Sequence, residues 1–340
     1  MHTLDKWSIL AGLRFLLASI VAVNHLAEFT PLGVLSFIPK FGAFQAILGF
    51  LLISGYSISV SYLKEPEHFL LRRFKRIYPV YLASIGITLI VCFCLNTRAP
   101  NLGTLLLNIF FLNQLFTTAS FVGPAWSLSL ECWLYCLAPT LLAAGPDRSR
   151  LYVYLSFFSF LLYTSCRTLL HLPYYSAVGY GGNLLFLSFI WICGLRLARD
   201  NENSERVMWD IRLIFIVHIA LDAVIKLGSR IKHDLVSIFL YEDVLTFAMQ
   251  SVTLWFVYFL FSTHIIKRRD TPQRSRLLRL LGDISYPLYL IHIPIYALLS
   301  TTSIRSPLLY YLATFILSSA LYWFIDVYSK QRHLKNSPTS

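Results

Sequence analysis

The stretch LRFLLASIVAVNH, Leu13 to His25, carries a guanidinium and an imidazole at the two ends of an apolar run. On a helix, which turns about 100° and rises about 1.5 Å per residue, Arg14 and His25 fall within roughly 20° of one face and about 16 Å apart. Burying an arginine in a membrane span costs several kcal/mol unless it faces protein or water, so this face is expected to line an interior cavity. An imidazole with an ordinary pKa of about 6.5 can accept a proton from a hydroxyl near neutral pH. The structural alternative is that Arg14 snorkels to the membrane interface and His25 hydrogen-bonds a neighbouring helix. Glu28, one turn beyond His25, extends the polar line.

A second constellation is FLLRRFKRIYPVY, Phe69 to Tyr81, in which Arg73 and Arg76 are three residues apart and sit side by side on a helix. Paired guanidinium groups suit a phosphate through bidentate hydrogen bonds, although the same residues also fit ordinary positive-inside arginines or lipid-headgroup contacts. A third is GPAWSLSLECWLY, Gly123 to Tyr135, where Ser127, Glu131 and Tyr135 recur every four residues on one face. Trp126 sits where an interfacial aromatic would. A glutamate in an apolar run needs a partner; the spacing allows a Glu131–His25 contact, or a bond from a neighbouring tyrosine or backbone.

Two further stretches carry weaker signals. LLISGYSIS, Leu51 to Ser59, places Ser54, Gly55, Tyr56, Ser57 and Ser59 in a span, either for close helix packing or to line a polar ligand, packing being the default. LGDISYPLYLIHIP, Leu281 to Pro294, holds His292 between two prolines, whose freed carbonyls can occupy an imidazole without chemistry. The remaining histidines have no metal-ligand spacing, so no metal is expected.

The elements that must position these groups follow from composition. Of 340 residues, 56% are hydrophobic and 14% charged, which specifies an all-α, polytopic membrane bundle of about ten transmembrane helices. The net charge of +12 does not point to nucleic acid, because the basic residues sit in short connections between apolar runs. The first apolar run contains Arg14 and lacks a small-residue cleavage site, so it reads as a retained span. Six cysteines without a Cys-x-x-Cys pattern read as small buried hydrophobes.

Eleven apolar runs are candidates: 8–29, 41–61, 77–95, 104–120, 126–144, 150–166, 183–198, 211–226, 243–266, 284–303 and 306–327. Basic clusters at 64–76, 267–279 and 330–335 belong on the cytoplasmic side. Seven candidates between two inside clusters leave one that does not cross, expected to be 104–120 because Asn108, Asn113 and Gln114 interrupt it, with 211–226 as the alternative. Omitting 104–120 places Arg148, Arg150 and the 196–212 connection inside. Both termini are then cytoplasmic, with a single domain over 1–330 and a short, disordered basic tail at 331–340.

Taken in order, these segments resemble the acyltransferase 3 family of integral membrane proteins. The resemblance is carried by Arg14 and His25 in the first span, Ser54-Gly55-Tyr56, Arg73-Phe74-Lys75-Arg76 before Tyr78-Pro79, WSLSLE from Trp126 to Glu131, and ISYPLYLIH from Ile284 to His292. It implies a ten-span core that moves an acyl group, commonly acetyl from acetyl-CoA, onto a hydroxyl of a carbohydrate or lipid-linked glycan, such as a polysaccharide, often across a bacterial cytoplasmic (inner) membrane. It further implies roles for Arg14, His25, Arg73, Arg76 and Glu131, with acyl-CoA as a substrate rather than a bound cofactor. No hydrolase-like extracytoplasmic domain such as some members of that family carry is expected, and the last span ends FIDVYS rather than Glu-x-Pro, so no role passes to Asp326.

On this reading Arg14, Arg73 and Arg76 hold the donor's phosphates, His25 is the general base for O-acetylation and Glu131 sets its tautomer. An acyl-histidine is the variant mechanism. Ser54, Tyr56, Trp126 and Ser127 are the candidate substrate-binding residues, and the expected partners are acyl-CoA, a carbohydrate or lipid-linked glycan acceptor and membrane lipids. A transporter or flippase of an anionic or lipid-linked sugar is the competing class, since a basic cavity also suits passage of an anion.

Overall fold

The computed structural model describes residues 5–200, 204–232, 241–259 and 275–328. The basic tail, residues 267–274 and His2, His233, His264 and His333 lie outside the described residues. The expected polytopic all-α bundle is the observed fold, with twelve α-helices among the described residues.

The first helix, α1 (Lys6–Leu26), begins at Asp5, whose carboxylate accepts the Trp7 and Ser8 backbone N–H groups at 2.9 and 3.1 Å. Two of the donors that a helix start leaves orphaned are thereby satisfied. Asp5 also accepts from the Ser8 hydroxyl at 2.6 Å and from Arg279 at 3.0 Å, which ties the start of α1 to α11 (Arg276–Ser300). Burial works to push the Asp5 carboxyl up, but the Ser8 hydroxyl, the Ser8 amide and the Arg279 guanidinium together hold it below its ordinary value of 3.8.

Helices α2 (Ala43–Lys64), α3 (Phe69–Cys94), α5 (Ala125–Ala143), α6 (Gly145–Leu170) and α12 (Pro307–Tyr322) complete the long elements of the first and last parts of the chain. Among the described residues, five helices are long and apolar enough to cross a membrane: α1, α2, α3, α6 and α12 with its continuation to Ile325. Their outer surfaces carry Ile90, Phe93, Phe158, Leu169 and Ile316, all exposed, which suits a hydrocarbon solvent rather than water.

The run 104–120 forms only α4 (Leu102–Ile109), after which the chain turns irregularly to Pro124. Eight helical residues span about 12 Å, far short of the roughly 30 Å hydrocarbon core. Asn108, one of the interrupting residues, holds this segment: its amide donates to Thr104 and Ala119 carbonyls at 2.9 and 3.0 Å and its side-chain oxygen accepts from Phe121 N–H at 2.9 Å. The alternative omission, 211–226, lies within the continuous α9 (Ser204–Lys232), where Asp222 is paired with Lys226 at 3.0 Å.

The run 183–198 differs from its expectation as one span. It breaks at Leu187 into α7 (Gly182–Phe186) and α8 (Ser188–Arg199), and the twelve residues of α8 reach only about 18 Å. Phe189, Ile190, Trp191, Ile192, Cys193 and Leu195 are all buried, so this helix is apolar on every side because protein surrounds it. Its approach to α2 is backbone on backbone: a Cβ at Gly55 would lie 1.9 Å from the Trp191 carbonyl oxygen, and one at Gly194 would lie 2.1 Å from that of Leu52. Only glycine permits that contact.

Arg196, expected at the edge of a cytoplasmic loop, is instead buried on α8 and bonded to Asp210 at 2.8 Å. Asp210 on α9 also accepts from Arg150 at 2.9 Å and Tyr154 at 2.8 Å, so one carboxylate joins α6, α8 and α9. The cysteines form no disulfide; Cys193 is buried as expected, whereas Cys94 and Cys136 face outward, where a lipid contact suits a small apolar side chain.

Candidate active site

Side chains of α1, α2, α3, α5, α11 and α12 line a cavity of about 160 Å³. At roughly 10–15 Å³ per water position, it has room for about ten or more waters or a small polar ligand segment. One end is marked by Arg76 and Asp283, which are 57% and 41% exposed and 3.8 Å apart, with Tyr322 donating to Asp283 at 3.3 Å. The other end is closed by Ser127 and Tyr289, whose hydroxyls lie 2.7 Å apart, and by Phe50, packed edge-on to Tyr289 at 5.6 Å.

Between these ends, polar groups recur at helical spacing along largely apolar walls. Arg14 reaches across from α1 and donates to Ser57 on α2 at 2.7 Å, while Ser57 bonds the Ile53 carbonyl. Ser54, one turn before, receives the Trp191 indole N–H at 3.3 Å and lies 3.4 Å from the Tyr135 hydroxyl. Tyr135 in turn donates to Glu131 at 2.6 Å. The SGYS segment thus serves both readings, with Gly55 packed against α8 and Ser54 and Ser57 facing the cavity.

Arg14, Arg73 and Arg76 all line this space. Arg73 stacks over the Phe69 ring at 5.8 Å and has no hydrogen bond or ion pair among the described residues. Against three guanidinium groups stand Glu131, occupied by Tyr135, and Asp283, at 3.8 Å from Arg76. Five-donor forks left with so few acceptors are arranged to take an anion.

His25 is not part of the cavity wall. Its Nδ1 lies 3.0 Å from Nε2 of His292 on α11, with the two rings 20° from parallel. His292 is fully buried and its Nδ1 lies 3.1 Å from the Leu288 carbonyl oxygen. The Glu131–His25 contact that spacing allowed does not form, because Glu131 is taken by Tyr135 on its own helix and His25 by α11. The common face of Arg14 and His25 therefore fronts two neighbours, a cavity at one end and a histidine at the other.

Of the remaining candidates, Ser54 and Ser127 line the cavity, whereas Tyr56 and Trp126 are buried outside it, Tyr56 against Trp7 at 6.1 Å. Sequence reasoning missed Asp283, Tyr286, Tyr289 and Tyr322 as cavity residues. A signal for α11 was present: Ser285, Tyr289, His292 and Tyr296 recur at helical spacing, all buried, on a helix otherwise apolar over that stretch.

A polytopic helical bundle with an arginine-lined cavity between its helices defines the chain as an integral membrane protein. The acyltransferase domain family matches residues 7–327, and the chain belongs to the acyltransferase 3 family, whose members transfer acyl groups. The transporter alternative is set aside on that ground. Neither a curated protein nor a solved structure matches the chain.

Proposed function

We propose that this protein is an O-acyltransferase that takes an acyl group, acetyl being the simplest, from acyl-CoA and delivers it to a hydroxyl of a carbohydrate or lipid-linked glycan. The observation that carries this reading is the convergence of Arg14, Arg73 and Arg76 on one narrow cavity with too few carboxylates to neutralise them. Coenzyme A matches it as a ligand: several phosphate charges at one end, then a long thin arm ending in the thioester. Arg73 and Arg76 take the phosphates at the exposed end, which positive-inside bias puts on the cytoplasmic side. The arm follows Ser57, Ser54 and Ser127 inward.

The inner end is closed by Tyr289, whose ring is 6.3 Å from that of His292. In this reading Tyr289 leaves Ser127 to admit the thioester to His25, which is half-buried and reachable by an acceptor from the opposite side. As the acceptor hydroxyl attacks the thioester carbonyl, its proton passes to the His25 imidazole, the new C–O bond forms, the C–S bond breaks, and the proton goes on to the departing thiolate. General-base assistance of this kind contributes about 10²–10⁴-fold.

Purified protein in lipid nanodiscs, given radiolabelled acetyl-CoA and a panel of glycan acceptors, tests this directly. The expected result is label transferred to a glycan hydroxyl, reduced at least about 100-fold in His25→Ala with acetyl-CoA binding retained. Unchanged transfer by His25→Ala removes the imidazole from the reaction, and absence of coenzyme A binding overturns the donor assignment.

A further inference from the structure

We infer that His292 is a positioning residue that fixes which nitrogen of His25 carries the proton, leaving His25 Nε2 as the free base. The inference rests on the reading of His25 as the general base, and it concerns what holds that base in its working form.

The argument is one of hydrogen-bond direction. The Leu288 carbonyl oxygen, 3.1 Å from His292 Nδ1, can only accept, so Nδ1 of His292 carries a hydrogen. A neutral imidazole has one N–H, which leaves His292 Nε2 as an acceptor. Across the 3.0 Å gap, His25 Nδ1 must then be the donor. The proton on His25 is thereby assigned to Nδ1, from the network around it, and Nε2 keeps its lone pair. The Val21 carbonyl, one turn back on α1, is a second acceptor for the His25 ring and likewise calls for an N–H there, and His25 is half-buried while His292 is fully buried.

The buried member thus faces inward, onto a backbone carbonyl that cannot change its role, and the reachable member faces the acceptor. A carboxylate usually orients a catalytic histidine in this way. Here the orienting group is neutral, which avoids placing a charge where the surroundings are Tyr289 and Tyr296, at ring distances of 6.3 and 5.7 Å. When His25 takes the acceptor's proton, its Nδ1–H still donates to His292 Nε2, so the hydrogen bond persists through the step and strengthens as its donor becomes charged.

The experiment is a double-mutant cycle on full-length protein in nanodiscs, with His25→Ala, His292→Leu, His292→Gln and the double variant His25→Ala/His292→Leu. Leucine fills the space without accepting a hydrogen bond; glutamine offers an oxygen to His25 and an N–H₂ to the Leu288 carbonyl. His292→Leu is expected to lower kcat about 10–100-fold with KM for acetyl-CoA unchanged, the scale of loss for groups that orient a histidine from behind. His292→Gln restores a substantial part of it, and the double variant is no slower than His25→Ala alone. A His292→Leu enzyme as fast as wild type, glutamine no better than leucine, or losses that multiply in the double variant overturns the inference. Full activity in His25→Ala instead overturns the general-base reading beneath it, so the two failures are told apart by the first variant.

Discussion

Two groups of arginines in this molecule invite comparison, because each is gathered within the bundle and each is handled differently. Around Asp210, the guanidinium of Arg196 is 2% exposed and bonded at 2.8 Å to a carboxylate that also receives Arg150 and Tyr154. Nearby, Asp200 takes Arg199 at 2.6 Å and Ser149 receives Arg199 at 2.8 Å. Around the cavity, Arg14 has a single serine hydroxyl, Arg73 an aromatic face, and Arg76 a carboxylate at 3.8 Å. Charges anchored on a carboxylate join helices; those with fewer acceptors face the cavity, where the proposed ligand would supply them. Residue type is shared, and the count of acceptors distinguishes them.

The comparison breaks most visibly at Asp210. Asp210→Ala strands the buried Arg196 guanidinium, and the expected cost is about 3–5 kcal/mol, read as a large fall in thermal midpoint and loss of monodisperse protein in detergent. Arg150, 44% exposed, turns to solvent and contributes little of that. Replacing both partners, Arg196→Met with Asp210→Leu, restores most of the stability if the set is purely structural.

Arg73→Ala is the opposite case. Its thermal midpoint stays close to wild type, while acetyl-CoA affinity, measured by calorimetry, falls about tenfold or more, the equivalent of one charge-assisted contact of about 1.5–3 kcal/mol. Arg73→Lys falls between the two, keeping the charge and losing the planar fork. An affinity untouched by Arg73→Ala would place the phosphates elsewhere.

The smallest effect belongs to the third ionic contact, Asp5 with Arg279, where Arg279 is 39% exposed. Because the Asp5 carboxyl is held below 3.8 when folded, it stabilises the folded chain above its unfolded-state pKa. That contribution disappears as pH falls through the lowered folded-state value. The stability difference between wild type and Asp5→Asn, followed by chemical denaturation in detergent, should be within about 1 kcal/mol at neutral pH and shrink toward zero on acidification. A difference independent of pH would assign the effect to helix capping alone.

Much of the site was legible before any coordinates. Arg14, Arg73, Arg76, Glu131, Ser54 and Ser127 were read from spacing and do line one cavity. The polar interruptions at Asn108, Asn113 and Gln114 marked a segment that forms only an eight-residue helix. What escaped was the contribution of α11, since Asp283, Tyr286 and Tyr289 lie on a helix more than 140 residues further along than Glu131. The break at Leu187 escaped for a different reason: a buried helix and a lipid-facing one are equally apolar, so hydropathy cannot separate them.

Sequence alone determined that the chain is a helical membrane bundle, that Arg73 and Arg76 sit side by side, that Ser127, Glu131 and Tyr135 share one helix face, and that His25 stands eleven residues from Arg14 on one stripe. Those are local properties, set by a repeat of 3.6 residues and by the cost of charge in lipid. Only the tertiary structure decided which helix each stripe meets: that Arg14 opens onto a cavity, that Arg196 is paired rather than free, and that His25 is held by His292 across a separation of 267 residues. Periodicity fixes the direction in which a side chain points, whereas its partner depends on how helices pack, which is settled by contacts such as that of Gly55 on α8 and by the chain as a whole.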